Sequence, residues 1–126
     1  MKLNKLIGIR NILVAHANDR VYAKVAYKMM KFIKASEDED AFYKTKLKEL
    51  IETYGEKDAM GKFAKDKVGN IKIKTESIDE CREAIRLLEE TDIECPNIHF
   101  HIEELSGLKL SMSEMYAIDE IIIEEG

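Results

Sequence analysis

Apolar residues in the first 54 positions of the chain recur every three to four residues. Leu6, Ile9, Ile12 and Leu13 form one helical face over residues 3–16, with lysine and arginine between them. Asn18 or Asp19 offers a cap, so a second helix is expected from Arg20 or Val21. Tyr22, Val25, Met29 and Phe32 follow at 3-4-3 spacing, and Tyr43, Leu47, Leu50 and Tyr54 repeat the rhythm, as the seam of a coiled coil does. Between the two runs lies "ASEDEDA", where Ser36 and Glu39 have the spacing of a fresh capping box. The pattern favours a continuous or slightly kinked helix to Tyr54. At 1.5 Å per residue that rod is about 50 Å long. The first helix covers only part of it, and a second copy of the chain is the expected cover for the rest.

After Gly55 the period changes. "DAMGKFAKDKVGNIKIK" carries turn signals at Asp58 to Gly61 and at Gly69 and Asn70, around short alternating runs. This predicts a protruding β-hairpin at about 62–74. Ser77 and Glu80 read as a capping box for a helix through Glu90, with Ile78, Cys81, Ile85 and Leu88 facing inward. Residues 93–102 alternate like a strand, with Pro96 at its edge or start. Ser111 and Glu114 form another capping box, for a last helix to about Ile123. The class is therefore α+β with helix dominant: an N-terminal helical hairpin with a long second helix, the β-hairpin, then helix, short strand and C-terminal helix. Residues 1–126 are expected to form one domain, and no repeat of 20–50 residues is visible.

Composition sharpens this reading. Charged residues are 36% of the chain and hydrophobic ones 45%, enough apolar material for a modest core under a charged surface. The net charge of −5 hides a segregation: +7 over residues 1–34, −4 over 35–60, +4 over 61–74 and −12 over 75–126. Basic helices can meet the acidic half within one fold, or between subunits packed head to tail. No run has the length or apolarity of a signal peptide or membrane span. A cytoplasmic or virion-associated protein without membrane contact is expected. Cys81 and Cys95 fit no zinc or redox spacing and read as buried thiols.

Candidate chemistry is sparse. In a strand, His99, His101 and Glu103 share one face, a spacing compatible with zinc or iron. The same alternation is what any half-buried strand shows, and no third histidine lies nearby, so a solvated face is the preferred reading and no metal is assigned. Lys62, Lys65, Lys67, Lys72 and Lys74 around Phe63 form a basic tip that could meet phosphates and stack a base. Neither phosphate-loop nor dinucleotide-binding glycine patterns occur, and no G-x-S-x-G is present. The chain is expected to be no enzyme and to need no cofactor.

The run "KLKELIETYGEKDAMGKFAKDKVGNIKI", preceded by "KVAYKMMKFIK" and followed by "LKLSMSEMYAIDEIIIEE", resembles small uncharacterised proteins of phages and prophages of low-GC Gram-positive bacteria. The resemblance implies a viral accessory role, in particle assembly or directed at the host. The expected function is non-catalytic protein binding to a phage or host partner, with self-association through Tyr22, Val25, Met29, Phe32, Tyr43, Leu47 and Leu50. The alternative is a counter-defence protein that sequesters a nucleotide or inhibits a host nucleic-acid enzyme.

Overall fold

A computed structural model of the chain describes residues 1–124. In chain order its helices are α1 (Leu3–Ala15), α2 (Ala23–Ala35), α3 (Glu37–Tyr54), α4 (Ile78–Glu89) and α5 (Met112–Ile118), with short strands β1 (Phe100–His101) and β2 (Ile122–Ile123). The class is α+β with helix dominant. The chain, expected to form one domain, holds two compact units: Met1–Asp40 with the stretch from Asp92 onward, and Ala41–Thr91.

The first unit is built around α1. Leu3, Leu6, Ile7, Ile9 and Leu13 are all buried, more than one stripe can hold, so this helix is covered on several sides. It packs against α2 and α5. Val25, Met29 and Phe32 of α2 join Leu6, Ile9, Leu13, Phe100, Leu105, Ile118 and Ile121 in one cluster. Three of the residues expected to face a second copy are therefore core of a single chain, with Phe32 0% exposed. Tyr22, from the same seam, lies at the N-cap of α2 and is 81% exposed.

The start of α2 is later than the cap signals imply. Asp19 is engaged by His16, whose Nδ1 lies 2.5 Å from its carboxylate, and cannot cap a helix at residue 20. The joint between α2 and α3 at Ser36 also has a local cause. Ser36 Oγ donates back to the carbonyls of Phe32 (2.8 Å) and Ile33 (3.1 Å) instead of capping α3. Arg10 reaches over from α1, donating to the same Ile33 carbonyl and, at 3.0 Å, to Ser36 Oγ. Its Nε lies 3.5 Å from buried Asp40. Side chains inserted into the carbonyl ladder bend a helix here, and the acids Glu37 to Asp40 restart it favourably at its positive end.

Opposite charges meet within this unit. Lys28 lies 2.7 Å from Glu104, Lys24 4.0 Å from the same carboxylate, and Lys2 3.1 Å from Asp92. Glu104 also accepts the His101 backbone N–H at 2.8 Å, which closes β1 and opens a 3-10 turn over Ile102–Gly107. The expected strand over 93–102 is thus only two residues long, paired in parallel with β2 as Phe100↔Ile122 and His101↔Ile123. Ile93 instead exchanges backbone hydrogen bonds with Met1, and the Pro96 carbonyl accepts Ile98 N–H in a tight turn. The last helix keeps its Ser111–Glu114 capping box but ends at Ile118, passing through a 3-10 turn into β2.

His16 ties α1 to α5. Its Nε2 lies 2.7 Å from Glu114, whose other oxygen accepts the Ser111 N–H. Hydrogen bonds to Asp19 and then Glu114 raise the imidazole pKa above its ordinary 6.5, against a smaller opposing effect of burial. A raised folded pKa means that the stabilisation is complete below about 6.5 and is lost as pH rises through the folded value. Thermal melts from pH 5.5 to 9 should therefore show stability falling on the alkaline side. His16→Asn should remove that slope, at a cost of about 1–2 kcal/mol at pH 6.

Candidate functional site

The second unit runs from the body of α3 through residues 55–74 to α4, and few of its side chains are fully enclosed. Its segments 55–57, 63–65 and 71–73 lie antiparallel through bridges Gly55↔Ile73, Lys57↔Phe63 and Lys65↔Ile71. The expected hairpin is present, but a third segment joins it. Glu56 N–H donates to Lys72, Lys72 N–H to Ala64, and Ala64 N–H to Glu56, at 2.7, 2.9 and 2.8 Å. These three residues are eight apart, and the sequence repeats with them: "KDAMGKF" at 57–63 and "KDKVGNI" at 65–71.

The two copies make the same turn. Asp58 accepts from the N–H groups of Met60 and Lys62, and Asp66 from those of Val68 and Asn70. Gly61 and Gly69 take φ of 78° and 92°, the region where a side chain is strained. The tips expose Met60 (82%) and Val68 (84%). Gly55 is needed for a different reason. A Cβ there would lie 2.9 Å from both Ile71 and Phe63 and 3.0 Å from the Ile51 carbonyl. Gly55→Ala should cost the second unit about 1–3 kcal/mol by overpacking, measured by urea unfolding.

The helix following this region starts without the expected box. Ser77 ends a 3-10 turn at φ −109°, ψ 1° and makes no side-chain cap, because capping needs an extended residue there. Cys81 and Leu88 of α4 are buried, and burial pushes the Cys81 thiol pKa up, which keeps it unreactive. Cys95, expected to be buried as well, is exposed in the loop before Pro96. Burial, with Glu89 nearby, also raises the Tyr43 phenol.

Between α3, the second and third segments and α4 lies an open groove of about 640 Å³. Leu47 and Ile51 of α3, Ile71 and Ile73 of the last segment, and Ile85 of α4 supply its apolar lining. Lys44 and Lys48, one turn apart on α3, and Lys65 also line it; no carboxylate does. The groove lies wholly inside the second unit.

The expected site residues divide accordingly. Leu47 and Lys65 line the groove, while Tyr43 and Leu50 are half-buried elsewhere on α3. Lys62, Lys67 and Lys72 are exposed, and Lys74 lines a separate polar cleft with Glu52, Glu56 and Glu76. Phe63 is not an open stacking platform: Lys57 Nζ lies 5.5 Å from its ring centre and Gly55 packs beneath it. His99, His101 and Glu103 do not share a strand face, because Glu103 falls in the 3-10 turn after β1. Among the described residues no group of three or more His, Cys, Asp or Glu side chains could hold a metal ion. Nor is any helix among them long and apolar enough to cross a membrane.

No family model, curated protein or solved structure matches this chain. The site therefore has to be read from its own geometry. Sequence reasoning missed Lys44, Lys48, Ile51, Ile71, Ile73 and Ile85 as one surface. The available signal was the paired i,i+4 rows of α3, Lys44–Lys48 beside Leu47–Ile51, together with the repeated K-D-x-x-G.

Proposed function

We propose that this chain is a non-catalytic binding module that makes its partner contact through the groove of the second unit, in the phage accessory role that the sequence resemblance implies. The observation that carries this reading is the contrast between the two units. In the first, Val25, Met29 and Phe32 of the α2 seam are enclosed by α1 and the carboxy-terminal elements, and a smaller groove of about 350 Å³ remains beside Val21, Met30 and Ile33. In the second, Leu47, Ile51, Ile71, Ile73 and Ile85 line open space. A concave, mainly apolar surface with a few charged groups at its margin is the usual form of a binding site. The long-helix contact thereby narrows to α3, since Val25, Met29 and Phe32 are already spent.

A photo-reactive benzoylphenylalanine at Lys48, compared with one at exposed Tyr27 on α2, tests the proposal in cells producing the protein. A discrete adduct is expected from position 48 and none from position 27. An adduct of twice the chain mass would make the partner a second copy; any other mass, a foreign protein. No adduct at 48, or equal adducts at both positions, would overturn the reading.

A further inference from the structure

Resting on that binding role, we infer that the groove's occupant is an amphipathic helix of a partner protein whose apolar stripe is flanked by aspartate and glutamate. Three features converge. The lining is aliphatic along Leu47, Ile51, Ile71, Ile73 and Ile85, as receptors for a helix's i, i+3, i+4, i+7 side chains are. Its charged members are all lysines, 44, 48 and 65, with no carboxylate among the lining residues. A negative flank would meet exposed Lys48 and Lys65, whereas a basic helix would be repelled. The groove is open to solvent, and its 640 Å³ is within the range of recognition pockets.

Charge alone would also admit a nucleic acid, and the lysines of the adjoining turns would add to the attraction. The apolar lining decides against it. A phosphodiester backbone carries no aliphatic groups to fill that surface, and single strands are held by aromatic faces. No aromatic residue is among those lining the groove, and Phe63 of the adjoining segment is covered by Lys57 and packed on Gly55. Asn70 at the groove's end supplies a side-chain amide suited to a peptide carbonyl or carboxylate.

The test is selection of displayed random 16-residue peptides on the purified full-length protein, with a Lys48→Glu, Lys65→Glu variant as counter-selection. Both lysines are exposed, and circular dichroism verifies that the variant is folded. The enriched peptides are expected to share apolar residues at helical spacing with acidic neighbours. Their synthetic forms should bind the native chain at least tenfold more tightly than the variant, with affinity falling as salt rises. Enrichment of neutral or basic peptides, or none at all, would overturn the inference. So would displacement of selected peptides by a thymidine oligonucleotide at lower concentration than by an acidic peptide, which would assign the groove to nucleic acid. Should the position-48 adduct form while acidic peptides fail, the binding role stands and the partner chemistry alone is wrong.

Discussion

Arg10→Met should cost the first unit about 3–5 kcal/mol, because it breaks a buried ion pair. Arg10 and Asp40 are both nearly enclosed, and the guanidinium serves the Asp40 carboxylate, the Ser36 hydroxyl and the Ile33 carbonyl at once. Methionine keeps most of the stem's volume and removes every donor, so packing should change little while the polar joint loses its cation. The physical origin can be isolated. In the double variant Arg10→Met, Asp40→Leu, the buried carboxylate goes together with the guanidinium, and part of the lost stability should return. Urea unfolding followed by circular dichroism measures both chains. Strictly additive losses would show that Asp40 and Arg10 act independently.

Phe32→Ala should have an effect of similar size, about 3–5 kcal/mol, from lost burial and the cavity left behind. Phe32 is fully enclosed among residues of α1, β1 and α5 in one chain. The experiment also separates two accounts of the same sequence pattern. If Phe32 belonged to a seam between copies, the alanine variant would keep its monomer stability and lose only an oligomer. If it is core, stability falls and does not depend on protein concentration. Measuring the unfolding midpoint at two concentrations a hundredfold apart distinguishes them.

The stripe from Tyr22 to Tyr54 shows what periodicity conveys and what it does not. Apolar residues at 3-4-3 spacing require that a helical face be covered, and both helices formed. The identity of the cover depends on partners about 70 to 100 residues away, since Phe100, Leu105, Ile118 and Ile121 close over α2. No local pattern encodes that choice. The joint at Ser36 was equally hidden, because it depends on Arg10 from another helix. By contrast, the Ser111–Glu114 box was legible because both partners lie within one turn. The Ser77–Glu80 pair has the same spacing and failed, since a 3-10 turn holds Ser77 outside capping geometry. The groove was the least legible feature. Its lining comes from α3, the second and third β segments and α4, and only the fold brings Leu47, Ile71 and Ile85 together. The eight-residue repeat was readable in principle, in the two K-D-x-x-G copies, but it is shorter than the periods of familiar repeat folds.

The central claim is that one apolar surface of this chain is closed and another is open. Methyl NMR of the dilute protein with a soluble paramagnetic relaxation agent tests it directly. Signals of Leu47, Ile51, Ile71, Ile73 and Ile85 should broaden strongly, while those of Leu6, Ile9, Leu13, Ile118 and Ile121 stay sharp. Groove methyls as protected as the core methyls would contradict the account, because the surface assigned to a partner would then already be covered.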